Sequence, residues 1–466
     1  MIVIESCPLQ HENAIWGKYS IPVKPSTAGV RILTLDGGGV RGIAELEILR
    51  LLEKALGGMI PVQSFFDLIV GTSAGGFVAL GLGVENWSVE KCTQEFERLC
   101  KSAFTYRRGA GIPVIGRIIS AHFQSKYATG PLQEALNDAF SDEYLFGGQH
   151  SFSHGNKVAL VATALVGLRP VVLSNYNRVC SDDASRPYIF QRPEKPDPEL
   201  KIWEAARATS AAPTYYRSFS HEPSKQVYLD GGLHHNNPIN IADAERKVLR
   251  PEFAMSYPDI VLSIGSGYCP YTEHDASATS HRIRAGIMAN LKVLYRIAVD
   301  HIESSLDAER LWKNYVDTLS PPNNERYRFQ RLNVRLPYEA PPKLDDLDCL
   351  HELRKEVRKY LNGHEQIQEI AKHLIATSFF FEQTSAWLKR EDGTHTCVGS
   401  IQCRFVPGSS EIREFGKLLL GFVTESPTPF FVIEEVYREQ VAEQVCYISN
   451  AHCSTQSSGL KIRNTD

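Results

Sequence analysis

Twice near its start this chain repeats one arrangement. An apolar run ends in a cluster of glycines, and the glycines open a stretch with helical periodicity. Residues 30–35 (VRILTL) lead into DGGGVRG at 36–42, and residues 65–70 (FFDLIV) lead into GTSAGG at 71–76. A short continuous apolar run suits a strand buried on both faces, which is the situation inside a parallel sheet. After the first loop Ile48, Leu49, Leu52, Ala55 and Leu56 share one helical face. Strand candidates recur at 157–162 (KVALVA), 226–229 (QVYL) and 260–264 (IVLSI). Strands alternating with helices predict a layered α/β domain with a largely parallel sheet. Residues 68–84 carry no charge and approach the length of a membrane span. Their five glycines and the turn chemistry in their first third instead predict a buried strand followed by a buried helix starting at about Phe77.

Further along, a helical pattern at 282–315 is stopped by Pro321 and Pro322. A strand is expected at 327–336, then an amphipathic helix at 350–361. Beyond residue 375 the texture changes. Residues 379–381, 396–405 and 430–437 look strand-like, and Glu391-Asp392-Gly393 is a turn signal. The expected organisation is an N-terminal segment (1–26), a catalytic domain (27–375) and a small β-rich appendage (376–466) of unknown role. The 466 residues carry a net charge of −4, which argues against a nucleic-acid binder. The ten cysteines form no CxxC pair, and the N-terminus shows neither the basic nor the apolar region of a secretory signal. These features point to a reduced, cytoplasmic setting.

The glycine loops raise a chemical question: which negative charge do they hold? GGGVRG satisfies the spacing of a dinucleotide fingerprint and lies between strand and helix, as that motif requires. The fingerprint also needs an acidic residue at the end of the second strand. That strand ends in Val70 and GTSAGG, so the nucleotide reading fails. What stands there is GxSxG, in the strand–elbow–helix setting that lifts a serine hydroxyl clear of a sheet. Ser73 is therefore the candidate nucleophile. Two strand ends then carry Gly37, Gly38, Gly39 and Ser73, and backbone amides beside a nucleophile stabilise the oxyanion of a tetrahedral intermediate. Arg41 braces this loop, meets a substrate phosphate, or forms an ordinary surface salt bridge.

A serine needs a proton acceptor. The stretch DGGLHHNNP at 230–238 follows a short strand and is the best source. Spacing leaves two solutions open: Asp230 as the base in a dyad, or His234, His235 or His301 as the base in a triad.

DGGGVRG, GTSAG, WEAARATSAAP at 203–213, and DGG with NNP behind it occur in that order, and together they resemble the patatin-like phospholipase family. SIGSG at 263–267 is similar to a later signature of that family. The resemblance covers residues 30–267 closely and leaves the last 90 or so residues uncovered. It implies a three-layer α/β/α sandwich and a Ser73–Asp230 dyad without histidine. Gly37, Gly38 and Gly39 would form the oxyanion hole, and no metal or other cofactor is expected. It also implies hydrolysis of acyl esters of glycerolipids or phospholipids. The alternatives are a non-catalytic lipid-binding or signalling module on the same fold, or an esterase or transacylase for another ester class. Residues 98–133 contain no acidic residue and interleave Lys101, Arg107, Arg108, Arg117 and Lys126 with apolar side chains. Such a stretch suits peripheral contact with an anionic membrane, as a cap over Ser73, or an ordinary helix-loop packed on the sheet.

Overall fold

The computed structural model describes residues 28–105, 125–147, 156–178, 186–192, 199–269, 306–386, 388–389 and 395–422, with short strands at 2–4, 19–21, 431–437, 440–446, 459–461 and 463–464. Residues 106–124, 282–305 with His301, 193–198 and the turn at 391–393 lie outside them. The chain divides into two compact units, residues 30–374 and residues 1–29 together with 375–466.

The larger unit is built on a nine-stranded sheet. Its strands are β1 (Arg31–Leu35), β2 (Leu68–Thr72), β3 (Lys157–Ala164), β4 (Arg169–Ser174), β5 (Ile189–Phe190), β6 (Phe219–His221), β7 (Gln226–Asp230), β8 (Ile260–Ile264) and β9 (Phe329–Leu332). The order is β9-β8-β1-β2-β3-β4-β5, with β7 paired to β3 and β6 to β7. From β9 to β3 every pairing is parallel. Strand β4 turns back antiparallel on β3, as β7 does.

Helices cover both faces, giving the three layers. On one face lie α1 (Gly42–Ala55) and α2 (Ala74–Gly83), with α3 (Val89–Ala103), α4 (Thr129–Ala139) and α5 (Ile202–Thr209) packed among them. A one-turn helix α6 (Gly232–His235) precedes α7 (Ile239–Leu249), which covers the other face with α8 (Leu306–Leu319). Strand alternation sorts the core: Ile32, Val70, Val161 and Val261 meet Ile241 and Tyr315 on the α7/α8 side. Helix α2 is buried along its whole length, so it needs no polar face. Helices α9 (Cys349–Leu361) and α10 (Glu365–Ala376) follow the sheet. Among the described residues no helix is long and apolar enough to cross a membrane.

Several boundaries differ from expectation. The strand expected at 65–70 begins at Leu68, because residues Val62–Phe65 close a 3-10 turn ahead of it. Helix α2 starts at Ala74, immediately after the elbow. Of residues 327–336 only Phe329–Leu332 pair in the sheet.

In the other unit, a strand at Phe379–Gln383 pairs antiparallel with His395–Cys403. A helix at Ser410–Phe422, absent from the β-rich expectation, follows them. Phe379 and Phe405 pack on Phe415, with ring centroids 5.5 and 4.9 Å away. Arg404 donates from Nη1 to the carbonyl of Gly29 at 3.0 Å.

Candidate active site

Sheet register brings the candidate residues together. Strand β2 runs along β3 until Thr72 faces Val161. Strand β7 arrives antiparallel along β3 and ends with Asp230 facing Ala162. Strand β4 occupies the opposite edge of β3, so the C-terminal ends of β2 and β7 meet head to head. The residue after β2 is Ser73 and the last residue of β7 is Asp230. Leu35 faces Gly71, so the DGGG loop leaves β1 beside the same point.

The elbow is sharp. Ser73 has φ 52° and ψ −116°, a conformation that costs an L-residue about 1–3 kcal/mol. A Cβ at Gly71 would overlap the carbonyl of Gly75, and one at Gly75 would overlap the carbonyls of Leu35 and Asp36. GxSxG is therefore a packing requirement of this turn as well as a chemical motif. Thr209, at the end of α5, holds the elbow from below. Its hydroxyl accepts from the Ser73 amide at 2.9 Å and donates to the Val161 carbonyl at 2.5 Å.

The Ser73 hydroxyl donates to Asp230 Oδ2 at 2.8 Å, and Asp230 Oδ1 accepts from the Gly232 amide at 2.7 Å. Asp230 is fully buried. Burial pushes its carboxyl from 3.8 to about 6, against the lowering effect of the Gly232 and Ser73 hydrogen bonds and of the Arg207 charge. A carboxylate of that basicity, aimed at a hydroxyl, is suited to accept its proton near neutral pH. Arg207 is itself buried and donates to the Arg217 carbonyl at 2.6 Å, so it acts on Asp230 through space.

The described histidines of this stretch do not form a triad. Neither the His234 nor the His235 side chain hydrogen-bonds Ser73 or Asp230. Burial lowers His234 below 6.5 and, with the neighbouring His234, takes His235 to about 4. What His235 supplies is its carbonyl, which accepts from the Thr72 hydroxyl at 2.8 Å.

The three glycines divide the work of the loop. The Gly37 amide donates to the Asn236 carbonyl at 2.9 Å, so it is already engaged. The Ser266 hydroxyl donates to the Gly37 carbonyl at 3.1 Å. Among the described residues the amides of Gly38 and Gly39 donate to no protein acceptor. Gly39 has φ +55°, and a Cβ there would overlap the Leu344 carbonyl, which accepts from the Val40 amide at 2.9 Å. Arg41 is fully buried and its Nε donates to the Gly38 carbonyl at 3.3 Å. Of its expected roles the brace fits that position, and full burial rules out a surface salt bridge.

Beneath the loop lies an ion pair that sequence reading missed. Arg331 on β9 grips Asp36 with two prongs, at 3.1 and 2.6 Å, and reaches Ser263 Oγ at 2.8 Å and Glu309 at 2.9 Å. Asn237 donates to the same Ser263 hydroxyl at 3.1 Å. NNP thus ties both the loop, through Asn236, and the neighbouring strand, through Asn237. The basic stretch at 98–133 is described only at its ends, and there Lys126 is ion-paired with Asp345.

The patatin-like phospholipase family model matches residues 33–243. Phospholipase A I of Arabidopsis thaliana is 27% identical over 385 residues, which are 73% of this chain and 27% of that protein. Calcium-independent phospholipase A2-gamma of Homo sapiens is 27% identical over 379 residues, 80% of this chain and 43% of that protein. A cGAMP-activated phospholipase of Escherichia coli (strain TW11681) is 32% identical over 248 residues, 51% of this chain and 62% of that protein. The chain therefore spans less than half of the first two relatives. Strands β2 to β7, the elbow and the glycine loop all fall within residues 33–243, the region that matches the patatin-like phospholipase family model.

Proposed function

We propose that this protein is a lipid acyl hydrolase of phospholipase A or lysophospholipase type, working through Ser73 and Asp230. The observation that carries the reading is the 2.8 Å hydrogen bond from a serine on a strained elbow to a buried carboxylate raised to about 6. The kinship with phospholipases supplies the substrate class.

In the first step Ser73 Oγ attacks the ester carbonyl and its proton passes to Asp230 Oδ2. The carbonyl oxygen becomes an oxyanion beside the Gly38 and Gly39 amides, while Gly37, held by Asn236, fixes the loop. One such donor is typically worth about 2.7–4 kcal/mol. The tetrahedral intermediate collapses, the proton on Asp230 goes to the leaving alkoxide, and lyso-lipid or glycerol departs. Water then attacks the acyl-serine, gives its proton to Asp230, and the second collapse returns that proton to Ser73 Oγ as the fatty acid leaves.

The test is an assay of wild type, Ser73→Ala and Asp230→Asn on a soluble medium-chain acyl ester and on phosphatidylcholine vesicles. Wild type should cleave both, and each variant should lose activity on both. Retention of most activity by Asp230→Asn would move the base to a histidine. A folded wild type inert on every acyl ester would make the site a binding module.

A further inference from the structure

A second feature lies along α1, away from Ser73. Helix α1 packs lengthwise on α9, and between them is a depression of about 420 Å³ lined by Arg50, Leu51, Lys54, Arg354, Arg358 and Asn362. Arg50 and Lys54 lie four residues apart on α1. Arg354 and Arg358 lie four residues apart on α9. Each pair therefore presents one face, and the two faces meet at the depression.

Beneath them sits one carboxylate, Glu47, 1% exposed. Arg50 reaches its Oε1 at 2.9 Å and Arg358 reaches the same oxygen at 2.7 Å. Arg354 reaches Oε2 at 3.2 Å and also holds Glu97 at 3.0 Å. Three arginines thus converge on two carboxylates, and among the described residues the Lys54 side chain makes no hydrogen bond. Three guanidinium groups crowded on one carboxylate repel one another, and each keeps N–H groups that Glu47 cannot satisfy. A multivalent oxyanion relieves both deficits, because its oxygens match the guanidinium fork. The arginines are reachable: their side chains are 37%, 27% and 46% exposed for Arg50, Arg354 and Arg358.

We propose that the α1/α9 depression binds a phosphate group, free in solution or carried on a lipid headgroup. Glu47 orients the arginines toward it, Leu51 forms an apolar floor, and Lys54 and Asn362 close its rim. The site is separate from Ser73 and does not depend on what Ser73 does.

The experiment uses the full chain with Ser73→Ala, so that vesicles stay intact. Binding is measured to inorganic phosphate by calorimetry, and by flotation to phosphatidylcholine vesicles with and without phosphatidic acid. The test variant is Lys54→Gln with Arg358→Gln, which leaves Glu47 its Arg50 and Arg354 partners. The control is Lys355→Gln with Lys359→Gln, which removes the same charge from the outer face of α9, where these lysines pair with Glu352 and Glu356. Circular dichroism checks the fold of both. The expected result is binding weakened at least about tenfold, or 1.4 kcal/mol, in the test variant and unchanged in the control. Phosphate binding with that pattern identifies a free anion, and vesicle binding alone with that pattern identifies a headgroup. Binding to neither probe, or equal weakening by the control, overturns the proposal.

Discussion

Two aspartates lie at the C-terminal ends of β1 and β7, and they have been given different partners. Asp36 closes β1 and Asp230 closes β7. Both are buried, and in both burial is the main reason that the carboxyl rises from 3.8 to about 6. Asp36 meets the guanidinium of Arg331 through two hydrogen bonds. Asp230 meets one amide and one hydroxyl, with its nearest cation acting only through space. Desolvation is common to both; what each can do follows from its partners. An ion-paired carboxylate is a strut, because protonating it breaks the pair. A carboxylate held by neutral donors can take a proton and return it.

The largest test of that difference is kinetic. Asp230→Asn should lower kcat by about 10²–10⁴, the usual contribution of a positioned general base. Asp36→Asn keeps the base and should lower kcat much less, acting through the loop it anchors. Equal kinetic losses from the two would erase the distinction. Next in size is Arg331→Met. It strips Asp36 of its partner inside the core and should cost about 3–5 kcal/mol of stability, read from urea unfolding. A fully stable Arg331→Met protein would show that the pair is no strut.

The pH dependence of stability sharpens the comparison further. The folded-state pKa of Asp230 lies above its unfolded value. The native state therefore holds that proton more tightly, and the stability it confers is full below about pH 3.8 and lost as pH rises through about 6. At neutral pH this ionisation costs at most about 3 kcal/mol. Asp230→Asn removes the ionisation, so it should melt higher than wild type at pH 8, with the gain vanishing near pH 4. Asp36 titrates with the same sign, but its amide variant loses a buried ion pair. Asp36→Asn should therefore melt lower than wild type at pH 8. Same-sign shifts in the two variants would mean that the Arg331 pair adds nothing beyond desolvation. In wild type, kcat/KM on a neutral ester should rise with pH through about 6 as Asp230 ionises.

Much of this region was legible in the sequence, for physical reasons. Strands buried on both faces must be apolar, so β1, β2, β3 and β8 stand out. The elbow must have glycines where Gly71 and Gly75 lie, so GTSAG marks its own geometry. Strand β4 was not legible: Pro170 and a charged first residue hide it. Its turn depends on Gly167 and Leu168, both at positive φ, which leave no apolar pattern. The helix at Ser410–Phe422 was hidden by strand-like runs on either side of it. The Asp36–Arg331 pair spans 295 positions, and no local period reports a contact of that range. The occupied Gly37 amide was equally out of reach, since it depends on where the Asn236 carbonyl points. In the motif at 203–213 the supporting role was visible but the atom was not. Only the fold shows that Thr209 Oγ1, and no neighbouring serine, holds the Ser73 amide.

Thr209 gives the finest version of the comparison. It stands on the neutral-donor side of the site, and Ser266 is its counterpart on the loop side. Thr209→Val keeps the shape and deletes the hydroxyl, leaving the Ser73 amide without its acceptor and the Val161 carbonyl without that donor. Ser266→Ala deletes one donor to the Gly37 carbonyl, while the Gly37 amide keeps Asn236. An unsatisfied buried group costs about 1–3 kcal/mol, so Thr209→Val should destabilise by about 2 kcal/mol and Ser266→Ala by less. The two should also differ in kinetics. A relaxed elbow misaims the hydroxyl toward Asp230, so Thr209→Val should lower kcat with KM little changed on a soluble ester. Thr209→Val with lower stability and an intact kcat would make the threonine a packing residue, and would leave the Ser73–Asp230 bond to hold its own geometry.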